Sequence, residues 1–240
     1  LYDRVQTFFY LYINSLTLTH TVAKFVDIAF KEASMEERDG AHHYSFDGHK
    51  SVGITTILNS TKPDEDAAKL EDWKVKENIR WETPANYIFK TAGPIGTDTH
   101  NAIEAYLKGE KYSPKYTISK GHMMNIVPLL DKIDNIRTNE SRLFSKELGI
   151  AGTVDCVAEY DGVLSIIDFK TKRSDRKEEW IVDNFLQATA YGIMWEELTG
   201  EKISQIVILI STEKNSSQAF IKDPADYVDA LKERIKEYYK

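Results

Sequence analysis

The chain has 240 residues, 42 % hydrophobic and 29 % charged, which is the make-up of a globular protein with enough material for one substantial core. A single cysteine, Cys156, excludes a disulfide framework, a cysteine zinc site and a four-cysteine iron–sulfur cluster. The formal net charge of −7 does not announce a nucleic-acid binder, so any such contact must come from a local basic patch.

Residues 1–30 are rich in aromatic, leucine and valine positions, interrupted by Asp3, Arg4, Asn14, Lys24 and Asp27. They read as one or two apolar helices or an irregular packing arm, without the marks of a signal or transit peptide. No run approaches the roughly 18 apolar residues of a membrane span. Residues 31–50 are polar and read as a loop. Its three imidazoles, His42, His43 and His49, could bind a metal, but solvated side chains are the better account. Pro63 and the acidic residues after it predict a helix with Ala67, Leu70 and Trp73 on one face. A helix over 98–108, closed by Gly109, carries His100, Ile103, Glu104 and Leu107 on one stripe. Met123, Val127, Leu130 and Ile133 predict another helix over about 122–136, which Pro128 must kink or start. A short strand near 143–149 then leads into a hairpin.

Asp161-Gly162, between two apolar β-branched runs, is the strongest short signal for a two-residue hairpin loop. With that loop Tyr160 pairs with Val163, and the register sets Asp155 opposite Asp168 and Thr153 opposite Lys170. Lys170 shares the face of Asp168, two residues on. Directly opposed carboxylates repel. A fold keeps them where a cation lies between, and hard oxygen ligands select Mg²⁺ or Mn²⁺ over zinc. The lysine can then orient a water or stabilise charge on a phosphoryl oxygen. Val157, Leu164 and Ile166 on the same face argue for a half-buried site rather than a wet hairpin surface. Cys156 alternates to the other side as a core residue. Lys170, Lys172, Arg173, Arg176 and Lys177 form the densest basic cluster. Beside the carboxylates it reads as a binding patch rather than a solvated loop.

Asp183 is expected to cap a helix ending near Gly200. On it Gln187 and Tyr191 face the same way, either as a buried polar pair or as support for the site. Gln205–Thr212 reads as a fully buried strand, and Asp223-Pro224 opens a final helix with Tyr227, Leu231, Ile235 and Tyr238 on its apolar side. This order of elements indicates an α/β or α+β core with a mixed sheet. His100 in isolation is a core histidine. It lies, however, in a first helical turn, which favours anions, and imidazole is a common third ligand beside two carboxylates. Trp73, Trp81, Trp180 and Trp195 could stack on unpaired bases, but most tryptophans are core and none is assigned. No glycine-rich phosphate loop, nucleophile elbow or His-Glu-x-x-His motif is present.

Four motifs in order, Gly96-Thr-Asp-Thr-His100, Gly152-Thr-Val-Asp155, Ile167-Asp-Phe-Lys-Thr171 and Gln187-x-x-x-Tyr191, resemble the RecB-type exonuclease branch of the PD-(D/E)XK nuclease superfamily. Ile54-Thr-Thr-Ile-Leu58, Thr61-Lys-Pro63 and Asp155-Cys-Val-Ala-Glu-Tyr160 add likeness to its mitochondrial-exonuclease and phage-type members. Val154 stands where the superfamily name has proline, a change common in the branch. The resemblance covers roughly residues 50–240, expected to be the nuclease domain, after an arm and loop at 1–49. It implies a restriction-endonuclease-like α/β (α+β) core, a mixed central β-sheet flanked by helices, with an extra helical N-terminal region. It also implies dependence on Mg²⁺ or Mn²⁺ and hydrolysis of DNA, single strands preferred, in replication, repair or recombination.

Carried onto this chain, His100, Asp155, Asp168 and the Phe169 carbonyl would hold metal. Lys170 would position or activate water, Gln187 and Tyr191 would support the site, and Lys172, Arg173, Arg176 and Lys177 would contact DNA. Glu147 is near an acidic position of some relatives. Alternatives are a double-strand exonuclease, a structure-specific endonuclease on the same fold, and a nuclease-inactive binding subunit. The intact Asp/Asp/Lys set argues against the last. The expected location is the cytoplasm of a bacterial or phage-infected cell, with no membrane partner. A mitochondrial one stays open because the chain starts at Leu1.

Overall fold

The computed structural model describes residues 22–38, 41–81 and 85–240. In chain order these form strands β1 (Ser34–Arg38), β2 (Ala41–Phe46) and β3 (His49–Gly53), then helices α1 (Ile54–Ser60), α2 (Asp64–Trp81), α3 (Ala85–Leu107) and α4 (Thr117–Leu130). Strands β4 (Ile133–Ser145), β5 (Ile150–Tyr160) and β6 (Val163–Lys172) follow, then α5 (Val182–Thr199), β7 (Gln205–Thr212), β8 (Ser217–Lys222) and α6 (Val228–Tyr238). The strands make one mixed sheet in the order β1-β2-β3-β5-β6-β7-β8, with β4 alongside β5.

β5 is the hub. One of its edges pairs with β4 from Ile150 to Tyr160. Its other edge is divided: Ile150 and Ala151 pair in parallel with β3, and Cys156 to Tyr160 pair with β6. Residues 152–155 therefore face a gap between β3 and β6. Helices cover both sides of the sheet. Ile166, Ile206, Ile208 and Ile210 pack toward α1, α5 and α6. Ile167, Phe169, Val207 and Leu209 pack toward Ile103 and Leu107 of α3 and Ile126 and Leu130 of α4. Burial on both faces is why β7 reads as a continuous apolar run. Cys156 is fully buried in the second layer, as its alternation requires.

Several local expectations change. The polar segment 31–50 is not a loop: it contains β1, β2 and the start of β3, with His42, His43 and His49 exposed on them. Asp47 and Gly48, at φ 48° and 80°, turn β2 into β3 just as Asp161 and Gly162, at 50° and 81°, turn β5 into β6. The polar flanks of the first turn hid it. The helix at 98–108 is the second half of α3, which runs through Pro94. The next helix spans Thr117–Leu130, with Pro128 near its end, and Ile133 already belongs to a strand. The short strand near 143–149 is the end of the 13-residue β4. A register shift between Asp134 and Thr138 breaks the alternation that would have revealed β4. β8 was not anticipated. Asp183 lies in the first turn of α5 and does not cap it. The helices expected near the N-terminus fall mostly on residues 1–21, outside the described residues, as do the side chains of Ala67, Leu70 and Trp81. Residues 22–33 contain no helix.

Two polar clamps hold the layers in register. Buried Asp98 of α3 accepts from Tyr112 Oη at 2.8 Å and from the amides of Lys115 and Tyr116 at 3.2 and 3.1 Å, which ties the loop before α4 to α3. Arg234 of α6 donates to Thr61 Oγ1 at 2.6 Å, to Asp183 Oδ1 at 3.0 Å and to the Leu58 carbonyl. It joins the end of α1 to the start of α5. Arg234→Ala removes three bonds and leaves Asp183 with only Lys62 at 3.9 Å, so urea unfolding should show a loss of about 2–3 kcal/mol. No change would mean the three elements dock without it.

Candidate active site

The β5–β6 register follows the hairpin expectation from Tyr160↔Val163 to Cys156↔Ile167 and stops there. Asp155 is therefore not laddered to Asp168, nor Thr153 to Lys170. Instead the Asp155 carboxylate turns into the gap, and its Oδ2 accepts the Phe169 amide at 2.8 Å. A side-chain oxygen stands in for a strand carbonyl, so the strands separate where two opposed carboxylates would otherwise collide. Thr153 instead turns its hydroxyl to within 3.4 Å of Tyr44 Oη on β2.

Asp168 is 1 % exposed. Its Oδ1 accepts from Lys170 Nζ at 2.7 Å, and its Oδ2 is buried without a partner. Lys170 Nζ also lies 3.5 Å from Gln187 Oε1. Gln187 Nε2 donates to Tyr191 Oη at 3.0 Å and approaches Thr55 Oγ1 at 3.4 Å. Tyr191 fits because residue 152 is glycine: a Cβ there would lie 2.7 Å from Tyr191 Cε1 and 3.2 Å from Ile54 Cγ2.

From the opposite layer, His100 Nε2 donates to the Phe169 carbonyl at 2.9 Å. Its Nδ1 lies 3.6 Å from Glu140 Oε1 and 3.8 Å from Asp155 Oδ2. Glu140 was missed from the sequence. It sits across from Asp155 because its neighbours pair Asn139↔Cys156 and Ser141↔Val154. Its φ of 51° is the left-handed region, uncommon outside glycine and worth notice at a site. A continuous β4 drawn back from the Gly149 turn would have exposed it. Glu147 is exposed in that turn, apart from the cluster. Among the described residues, His100, Glu140 and Asp155 present ligand atoms within 4.8 Å of one another.

The charges explain one another. Burial works against the Lys170 ammonium, but Asp168, Asp155 and Glu140 outweigh it and hold its pKa up. Burial raises the Asp168 carboxyl to about 6, against the pull of Lys170 and with the help of Asp155. Burial also opposes the His100 imidazolium, yet Asp155 and Glu140 carry its pKa up to about 9. The three carboxylates and the Phe169 carbonyl are hard oxygen donors, His100 adds a borderline nitrogen donor once it gives up its proton, and Asp168 Oδ2 is buried without a partner, so the set fits a divalent cation.

The basic residues disperse more than their spacing suggested. Lys172 lies on the face of Asp168 and Lys170, half-buried. Arg173 stands 3.9 Å from Glu213. The Arg176 amide donates to Gln218 Oε1 at 2.7 Å, and Gln218 Nε2 donates to the Arg176 carbonyl at 3.0 Å. Lys177 pairs with Glu179 at 3.7 Å and covers Trp180, which is 57 % exposed. Trp195 is fully buried and Trp73 half-buried.

Residues 100–240 match the family model of the PD-(D/E)XK nuclease superfamily. Over 146 residues the chain is 32 % identical to mitochondrial genome maintenance exonuclease 1 of Xenopus tropicalis, covering 58 % of this chain and 41 % of that protein. With its Homo sapiens counterpart the identity is 27 % over 179 residues, covering 69 % and 50 %. The match thus spans about half or less of these relatives. A solved protein from Eubacterium rectale, named as a candidate exonuclease, superposes with TM-score 0.44 at 12 % identity, over 69 % of this chain and 71 % of that one.

Because folding raises the Asp168 pKa from 3.8 to about 6, the folded chain keeps a proton that the unfolded chain has released, and stability falls as pH rises through that window. Asp168→Asn should therefore stabilise the cation-free protein at pH 7 by about 1–3 kcal/mol and flatten that pH dependence, read by urea unfolding from pH 4 to 8. A destabilised variant would show that the Lys170 contact outweighs burial. Gly152→Ala should cost about 1–3 kcal/mol by forcing its methyl against the Tyr191 ring. Unchanged stability there would mean the ring relocates freely.

Proposed function

The chain belongs to the PD-(D/E)XK nuclease superfamily, and from that premise we propose that it is a cation-dependent DNA exonuclease that prefers single strands. The observation that carries this reading is the buried Asp168, bonded to Lys170 on one oxygen and unpartnered on the other, beside Asp155 in the sheet gap. A binding module has no use for carboxylates held together at that cost. The Xenopus and human relatives are named as exonucleases, and that activity comes to this chain as part of the proposal.

Asp155, Asp168, His100 and the Phe169 carbonyl, joined by Glu140, would hold Mg²⁺ or Mn²⁺. When bound, the cation supplies charge neutralisation at the scissile phosphate and a lowered water pKa. Lys170, steadied by Asp168 Oδ1, orients the attacking water or meets charge growing on a phosphoryl oxygen. Gln187 limits where the Lys170 ammonium can swing, and Tyr191 backs Gln187. The preference for single strands is supported by the modest local charge of the site, where Lys170 and Lys172 share one face of β6 in a chain of net charge −7. Such an activity serves replication, repair or recombination.

End-labelled single- and double-stranded oligonucleotides, and end-less single-stranded circles, should be digested with Mg²⁺ and with Mn²⁺. Linear single strands should be degraded fastest and circles left intact. Asp168→Ala and Lys170→Ala should each lower cleavage by roughly 10³-fold while strand binding persists. Cleaved circles indicate an endonuclease, and faster loss of duplex a double-strand enzyme. Strand binding with no cleavage under either cation indicates a binding subunit.

A further inference from the structure

The mechanism leaves Lys172 unused. β6 and β7 pair in unbroken register from Ser165↔Gln205 to Lys172↔Thr212, so Asp168, Lys170 and Lys172 point to one face without a bulge between them. Two strand residues span about 6.6 Å, comparable to the step between successive phosphates in an extended single strand. The Lys172 ammonium is half-buried and makes no hydrogen bond or ion pair among the described residues. Neither nearby carboxylate bonds to it: Asp168 holds Lys170 through Oδ1, and Glu213 faces Arg173.

The surroundings of Lys172 are cationic. Burial first, then Lys170, Arg176 and Lys62, lower its pKa to about 8, with Asp168 opposing them. The Arg176 guanidinium has no ion-pair partner among the described residues either; its main-chain amide and carbonyl carry its bonds. Lys62 reaches Asp183 only at 3.9 Å, and that carboxylate is already bonded to Arg234 at 3.0 Å. Like charges answered only by Asp168 and by an Asp183 shared with Arg234 are unfavourable, and an anion between them relieves each one.

We infer that Lys172, flanked by Arg176 and Lys62, holds the backbone phosphate adjacent to the scissile one on a bound single strand. This rests on the nuclease reading above, which puts the scissile phosphate beside Lys170. The site accordingly grips two successive phosphates, one reacting and one retained, and the retained one sets the register of the strand.

Binding of a fluorescent single-stranded oligonucleotide, measured without divalent cation over a range of salt, tests it. Lys172→Gln should weaken binding roughly tenfold, the loss of one charge-assisted hydrogen bond. It should also flatten the slope of log affinity against log salt by about 0.7, one phosphate contact. Lys172→Met, which keeps the packed stem, should do the same, and Lys172→Arg should restore the slope. Oligonucleotides with one uncharged methylphosphonate linkage on either side of the first cleaved bond locate the contact. At one of the two positions the wild type should slow, and Lys172→Gln should slow no further. An unchanged salt slope in both neutral variants, or full additional slowing at both linkages, overturns the inference. If the wild type binds and cleaves single strands while these variants match it, this inference alone fails. If the wild type neither binds nor cleaves single strands, the single-strand reading fails with it.

Discussion

One hydrogen bond organises the site: the Asp155 carboxylate accepting the Phe169 amide at 2.8 Å. It ends the β5–β6 ladder one pair before the two aspartates would stand face to face. A strand amide that loses its carbonyl partner must find another acceptor, and burial makes the penalty for failing to do so large. Asp155 meets that demand and in doing so becomes the hinge between two strands that part. The Phe169 carbonyl is left to His100, and the gap opens among Asp155, Asp168 and Lys170.

The gap is charged and, at Asp168, fully buried, a combination that costs stability by itself. Asp168 ionises against burial, and three carboxylates surround the Lys170 ammonium. The remainder of the fold offsets that cost. α3 and α4 on one side, and α1, α5 and α6 on the other, pack continuous apolar layers against the sheet. The strain is thus local, while the apolar layers that contain it extend over the whole sheet.

Both layers are needed, because the site draws from each. His100 comes from α3, whose approach is held by Asp98 and the loop it clamps. Gln187 and Tyr191 come from α5, whose start is held by Arg234 and whose inner face closes on Gly152. Glu140 arrives on β4 in a left-handed backbone conformation. Lys172 extends the same β6 face outward, so one strand carries the buried carboxylate, the central lysine and the outer cation in sequence.

The sequence by itself determined the β5–β6 hairpin, the fully buried β7, the buried thiol of Cys156 and the common face of Asp168 and Lys170. These depend on a two-residue turn and strict alternation, which are local properties of the chain. It also carried the order of motifs from which the mixed, helix-flanked sheet was expected. It left the first three strands hidden, because their turn is flanked by polar residues, and most of β4, because a register shift scrambles its alternation. Only the tertiary structure decided that Glu140 joins His100 and Asp155, since the three are distant in sequence and meet through strand pairing and helix packing. Only the tertiary structure decided that Asp155 leaves the ladder. Pairing rules count residues along two strands, whereas the outcome here was set by charge repulsion and by a side chain able to replace a main-chain acceptor.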